Sequence, residues 1–292
     1  MGIRVAACRI YPLKSAAGYE TEQMEILPRG PKGDREWLLV NEENGFLTQR
    51  LRGCEKMPLI GTAAEGNSTV FSAPAMPPLT VAEFQGETQV TIWKDTVTAQ
   101  DAGDVAAAWF SEYLGMSCRL VRLSEKPEHR RKTSEKWGLP DGVVGFADGF
   151  PLLVTNTASL AALADHLPET DRACVDMTRF RPNLVLDGLA AFEEDALYKI
   201  RIGDAVLRLV KPCARCKITT ICQQTGAVVS NEPLKTLTKL RRGKSDDLAG
   251  AFFGQNAVPE TCGTIRKGDK VEILERRPPH PALADAALKF AG

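Results

Sequence analysis

Glycine and proline interrupt this chain so often, 24 and 18 times in 292 residues, that the periodic segments between them are short. Such punctuation works against long bundled helices and favours short strands joined by turns. Val90-Thr91-Ile92-Trp93, Lys94-Asp95 and Thr96-Val97-Thr98-Ala99 read as strand, tight turn and strand. Tyr198 to Ile202 alternates apolar and polar residues, Gly203-Asp204 supplies a turn, and Ala205 to Val210 returns as a second strand. Val271 to Leu274 follows the Gly268-Asp269 turn as another. Helices are fewer. Apolar spacing predicts one over 104–114 with Gly115 as its stop, and one capped by Asn156 or Thr157 that reaches Leu167. A third runs from Pro233 through Leu240, and a short fourth over 282–290. This pattern gives an α+β fold, predominantly β, with barrel-like sheets.

Charge narrows the partners. Lys plus Arg equals Asp plus Glu at 37 each, so no global field attracts nucleic acid or acidic membranes. No stretch approaches the ~18 to 20 apolar residues of a membrane span, and the N-terminus reads as a strand rather than a leader. The expectation is a cytoplasmic chain with no nucleic-acid partner and no membrane span. The basic stretch 124–148, with Lys126, His129, Arg130, Arg131 and Lys132, reads as a long loop with a solvated charged face. Of eight cysteines, Cys8, Cys54, Cys118, Cys174 and Cys262 are scattered and are expected to be reduced, mostly as small buried residues. Cys213, Cys216 and Cys222 cluster and need their own explanation.

Four readings compete for the Cys213-Ala214-Arg215-Cys216 run. Structural zinc needs four ligands, usually in two close pairs, and the chain has one such pair. A thioredoxin-like redox pair should open a helix. Here the β-branched Ile218-Thr219-Thr220-Ile221 follows and predicts a strand, on which Cys213 and Cys216 would face opposite sides. An inert core pair should sit in apolar company, yet Lys211, Arg215 and Lys217 flank it, and cations favour thiolate. A single thiolate to a soft-ligand metal, with Arg215 beside it for an anionic cofactor, accounts for both the thiol and the charge.

A wider pattern then assembles. Tyr11-Pro12-Leu13-Lys14-Ser15, Asp34-Arg35, Trp37-Leu38-Leu39-Val40, Arg179-Phe180-Arg181-Pro182-Asn183, Phe192-Glu193-Glu194-Asp195, Ile202-Gly203-Asp204, Pro212-Cys213-Ala214-Arg215-Cys216, Thr219-Thr220, Phe253-Gly254-Gln255-Asn256 and Gly263 to Asp269 occur in order. Together they resemble the MOSC superfamily, and within it the branch of the amidoxime-reducing components and their bacterial relatives.

The resemblance implies a MOSC β-barrel built from residues 1–36 and 122–278, a smaller β-rich module inserted at 37–121, and a tail at 279–292. It implies a molybdenum–molybdopterin cofactor with Cys216 as metal ligand and catalytic residue. Its contacts carry over to Lys14, Ser15, Arg35, Gly149, Phe150, Arg181, Asn183, Ala214, Arg215 and Asn256. Lys and Arg can neutralise a phosphate, and Ser15 and Asn183 offer short donors. Gly149-Phe150 stand where relatives have a small polar pair, so only backbone contacts carry over; Ala214 stands for Ser and Asn256 for Tyr. Cys213 is expected to support or pack. The implied activity is two-electron removal of oxygen from N-hydroxylated small molecules. One bacterial relative continues into a ferredoxin domain. Without a four-cysteine cluster pattern here, electrons are expected from a separate ferredoxin, flavoprotein or cytochrome. The alternative is a sulfur carrier or a protein of molybdenum-cofactor binding and maturation.

Overall fold

The computed structural model describes residues 2–283. The fold is α+β and predominantly β. Among the described residues nine strands form its main sheet, seven of them labelled β1 (Arg4–Ile10), β2 (Leu152–Asn156), β3 (Leu184–Asp187), β4 (Leu197–Ile202), β5 (Ala205–Arg215), β6 (Ala249–Thr261) and β7 (Val271–Arg276). They hydrogen-bond in the order β1-β3-β2-β6-β5-β4-β7, with Tyr19–Thr21 beside β1 and Arg242–Lys244 beside β6. Val5 N donates to Asp269 O at 2.9 Å and Val271 N to Ile3 O at 2.9 Å, and Arg4 bridges Lys270. These contacts tie the first strand to the last and curl the sheet into a barrel.

Alternation explains the barrel's filling. Ile200 and Ile202 on β4, Leu207 and Leu209 on β5, and Leu184 and Leu186 on β3 all turn into one buried cluster with Val5, Cys8 and Val154. The turn Gly203-Asp204 joins β4 to β5 as expected, with Ile202 opposite Ala205. The strand after it runs to Arg215, five residues past its predicted end, because β6 pairs along it.

Between β1 and β2 lies a four-stranded antiparallel sheet of Trp37–Val40, Arg119–Leu123, Asp95–Asp101 and Glu87–Ile92. The continuous apolar run Trp37-Leu38-Leu39-Val40 is buried on both faces: Trp37 and Leu39 enter one core, Leu38 and Val40 another. The hairpin turn falls on Trp93-Lys94, one residue earlier than the sequence pattern predicts, since Asp95 already pairs with Ile92. Trp93 takes φ 57° there, the left-handed conformation that two-residue hairpin turns demand.

The predicted helices form at Gly103–Leu114, Thr157–Ala164 and Leu234–Arg241. Gly115 closes the first at φ 71°, and the Asn156 side chain accepts from Ala158 N to cap the second. Of the expected helix at 282–290, residues past 283 lie outside the described ones, and Pro281–Leu283 is a 3-10 turn. Among the described residues no helix is long and apolar enough to cross a membrane.

Two sequence expectations give way. The run Lys217–Thr220 is a 3-10 turn, not a strand. Thr219 Oγ1 donates to Cys216 O at 3.0 Å and Thr220 Oγ1 to Lys217 O at 2.7 Å, so the hydroxyls that suggested a β-strand instead bond back to their own turn. The 124–148 stretch is also not uniformly solvated. Arg131 is buried, donating to Gly145 O at 3.0 Å, Ala147 O at 2.7 Å and Asp148 O at 3.2 Å, and to Asp95 Oδ2 at 3.0 Å. A guanidinium that satisfies three carbonyls this way fixes the 145–148 loop from behind.

Candidate functional site

The C-terminal end of β5 carries Cys213, Ala214 and Arg215 into a cleft, and the 3-10 turn that follows adds Cys216. The β5–β6 register slips between Pro212 and Ala214. A bulge there breaks the two-residue alternation, so both thiols line one cleft instead of facing opposite ways. Every residue carried over from the family pattern lines it too: Lys14, Ser15, Arg35, Gly149, Phe150, Arg181, Asn183, Ala214, Arg215, Cys216 and Asn256.

Three of them sit at positive φ: Ser15 at 66°, Arg35 at 48° and Arg181 at 55°. Non-glycine residues pay about 1 kcal/mol or more for that conformation, and it persists where surrounding structure enforces it. Here the enforcing structure is a charged lattice. Asp34 accepts from Tyr11 N at 2.8 Å and pairs with Arg35. Arg35 also donates to Asn183 Oδ1 at 3.0 Å and Arg181 O at 3.1 Å. Asn183 Nδ2 donates to Arg9 O at 3.2 Å and Asp34 Oδ1 at 3.0 Å, while its oxygen also accepts from Leu153 N. Asn183 is thus committed to protein partners and orients Arg35. The Arg35 and Arg181 guanidinium groups lie 4.5 and 4.3 Å from the Tyr11 ring centre.

The electrostatics are lopsided. Lys14, Arg35, Arg50, Arg181 and Arg215 line the cleft, whereas Asp148 is the one carboxylate to do so among the described residues. Burial disfavours the Lys14 ammonium and pulls its pKa down, although Asp148, bonded to Nζ, opposes this. Lys14 Nζ also donates to Phe146 O at 2.9 Å. Asp148 loses some solvation in the cleft, but Lys14, its hydrogen bond and Arg50 outweigh that and hold the carboxyl well below its ordinary range. Burial, then the nearby Arg35, pull Arg181 down to about 10, still charged at neutral pH. Burial raises Asp34 against the pull of Arg35.

Donors remain unused. Arg181 Nη1 reaches Ala16 O at 2.6 Å and Arg215 Nη2 reaches Phe180 O at 2.7 Å, yet Arg181 Nη2 and Arg215 Nε are buried with no partner. Leaving such a group unsatisfied costs about 1–3 kcal/mol. The Ser15 hydroxyl makes no hydrogen bond within the described chain, and a Cβ on Gly149 would meet nothing within 4 Å. Cys213 accepts from Arg215 Nη1 at 2.8 Å, which makes it a support for that guanidinium. Cys216 is half-buried and its sulfur has no hydrogen-bond partner among the described residues. No group of three or more His, Cys, Asp or Glu among those residues is placed to hold a metal. The cleft therefore offers one open thiol and a ring of cations with spare donors. That donor set suits a polyanionic group carrying a thiophilic centre.

Comparison with known proteins places the chain. Residues 2–117 match the MOSC N-terminal beta barrel domain and residues 141–272 the MOSC domain. Mitochondrial amidoxime-reducing component 1 of Mus musculus is 33% identical over 92% of this chain and 82% of its own length. The chain belongs to the MOSC family. The human counterpart is 30% identical over 92% of the chain and 82% of its own length. A molybdenum cofactor sulfurase of Oryza sativa subsp. japonica is 29% identical over 88% of the chain, which spans 33% of that longer protein.

In this MOSC protein, motif reading missed Thr48, Arg50, Asp148 and Phe180 as cleft residues. Thr48 and Arg50 come from the segment between β1 and β2, and no local pattern marks them. Asp148 adjoins Gly149-Phe150, so its neighbourhood was signalled, but its pairing with Lys14 bridges 134 residues of sequence. Phe180 sits inside a quoted motif, and its buried stack on Phe253, 4.0 Å between ring centres, gives it a packing role as well.

Proposed function

We propose that this MOSC protein binds a molybdenum–molybdopterin cofactor with Cys216 as metal ligand and reduces N-hydroxylated small molecules. The observation that carries the reading is the cleft's cation excess, with buried unpartnered donors on Arg181 and Arg215 beside the open Cys216 thiol. The names of the amidoxime-reducing relatives support the substrate class, and the sulfurase's name supports the cofactor. When bound, the cofactor supplies the two-electron chemistry. Each turnover converts N–OH to N–H and water, consuming two electrons and two protons.

The chain's residues do the holding. Lys14, Arg35, Arg181 and Arg215 would neutralise the anionic groups of the cofactor, and Ser15 Oγ would donate to it. Gly149 and Phe150 would offer backbone groups across the open space at Gly149. Ala214 and Asn256 complete the wall, Asn256 Nδ2 being held by Lys211 O at 3.2 Å. Asp148, kept ionised, stores no proton, and no histidine lines the cleft among the described residues. Protons then arrive from water at the open side, and electrons from a separate ferredoxin, flavoprotein or cytochrome. The cofactor domain comprises 1–36 and 122–278, with 37–121 inserted; the pairing of β1 with β3 supports that division. Eight unpaired thiols suit a reducing, cytoplasmic setting.

The test is metal and pterin analysis of protein made in a host that synthesises the cofactor, followed by benzamidoxime reduction with reduced methyl viologen. Equimolar molybdenum and pterin with turnover is the expected result. Cys216→Ala should keep the fold by circular dichroism and lose turnover to background; full activity in a molybdenum-loaded Cys216→Ala protein would falsify the ligand assignment. The sulfurase's similarity favours one alternative, sulfur transfer or cofactor maturation, which a Cys216 persulfide without metal would support. Bound molybdenum with no reduction of benzamidoxime would point to a carrier.

A further inference from the structure

One cation of the cleft is built unlike the others. Arg181 and Arg215 are anchored to backbone carbonyls and Arg35 to Asp34, but Arg50 forms no hydrogen bond and no ion pair within the described chain. It is half-buried and rests on the Trp93 ring, 4.6 Å from guanidinium carbon to ring centre. Trp93 is itself 47% exposed and fixed at the hairpin turn, with Phe46 5.0 Å behind it and its Nε1 donating to Asp148 at 3.3 Å. Asp148 is meanwhile engaged by Lys14. Stacking uses the flat face of a guanidinium and leaves its N–H edge free, and that edge matches a carboxylate in a two-point contact. The same cleft is also lined by Phe150, Leu153, Phe180 and Ile218, which suit an apolar or aromatic body.

Resting on the activity proposed above, we propose that Arg50, presented by the inserted segment on Trp93, is a specificity-determining residue that binds an anionic substituent of the substrate, a carboxylate on an aromatic or aliphatic N-hydroxylated compound. The cleft then prefers 4-carboxybenzamidoxime over benzamidoxime.

The test compares the loaded wild-type protein with Arg50→Gln and Arg50→Lys. The kcat/KM ratio of 4-carboxybenzamidoxime to benzamidoxime should fall roughly tenfold or more in Arg50→Gln, through KM, with partial rescue by Lys. A second readout needs no turnover: calorimetric Kd values for the products 4-carboxybenzamidine and benzamidine, whose ratio should shift by a similar factor. Equal ratios in wild type and Arg50→Gln overturn the proposal. Loss of molybdenum and pterin from Arg50→Gln also overturns it, because Arg50 would then serve the cofactor. If loaded wild type reduces neither compound, the proposed activity fails, while the Kd ratio still decides whether Arg50 selects for the carboxylate.

Discussion

Two regions of this protein hold buried charge, and they resolve it in opposite ways. In one, Glu194 and Asp195 lie near Arg241, all three buried. Arg241 pairs with Asp195, Gln255 Nε2 donates to Asp195 at 2.6 Å, and Ser159 Oγ donates to Glu194 at 2.7 Å. Both this cluster and the cleft leave buried atoms unpartnered: Glu194 Oε1, Arg241 Nη1 and Gln255 Oε1 in the cluster, Arg181 Nη2 and Arg215 Nε in the cleft. Orphaned atoms alone therefore do not mark a binding site. The sign of the excess does. Two carboxylates against one guanidinium can shed their surplus by keeping a proton, and burial, with the adjacent Asp195, pushes Glu194 up to about 7. Guanidinium groups have no such exit, since they stay protonated. The cleft's guanidinium surplus has no outlet by titration and suits an anion from outside.

The largest expected effect tests the self-sufficient region. Glu194 titrates near its ordinary 4.5 when unfolded and at about 7 when folded. Its contribution to stability is thus fully present below about pH 4.5 and is lost as the pH rises through 7. That loss amounts to about 3 kcal/mol. Urea denaturation should show wild type losing this stability between about pH 4.5 and 7, and Glu194→Gln, neutral throughout, losing little of it. Parallel pH profiles for the two proteins would mean that Glu194 does not carry the cluster's proton.

The next effect tests the dependent region. Arg181→Ala deletes the guanidinium that carries one of the two unpartnered cleft donors. A hydrogen bond to a charged group contributes about 1.5–3 kcal/mol, so cofactor retention should fall roughly 10- to 100-fold. Pterin per protein after gel filtration measures it. Undiminished pterin would break the contrast between the regions, because the cleft's charge would then have some other outlet.

How much of this contrast could be read in advance differs between the two regions. The cleft's members were legible one at a time, because Lys14-Ser15, Asp34-Arg35, Arg181 and Arg215-Cys216 fall in ordered motifs. Strand pairs such as Leu197–Ile202 with the strand after Gly203-Asp204 were legible from alternation alone. Illegible were properties that depend on distant partners. Arg131 looks like surface charge until the carbonyls of residues 145, 147 and 148 close around it. Barrel closure rests on Arg4 meeting Lys270, at opposite ends of the chain. That Cys213 and Cys216 share one cleft depends on a bulge between Pro212 and Ala214 in the pairing with β6. The cluster's Glu194-Asp195 stood in a quoted motif, but nothing local showed that Arg241 and Gln255 would meet it.

The smallest effect separates the regions by a single oxygen in each. Ser159 Oγ is fully committed, donating to Glu194 and accepting from Phe192 N at 2.8 Å. Ser159→Ala removes one acceptor for Phe192 N and one of the two donors to Glu194 Oε2, the other being Asn156 Nδ2, and should cost about 1–3 kcal/mol of stability in urea, with cofactor content unchanged. Ser15 Oγ has no partner within the described chain, so Ser15→Ala should leave the cofactor-free protein within about 0.5 kcal/mol of wild type. In the loaded protein the same change should weaken retention by up to about tenfold, the worth of one hydrogen bond. The two serines thus make opposite demands on one pair of assays. A Ser15→Ala protein that is destabilised without cofactor, yet holds pterin as well as wild type, would show that the cleft, like the cluster, satisfies itself from within.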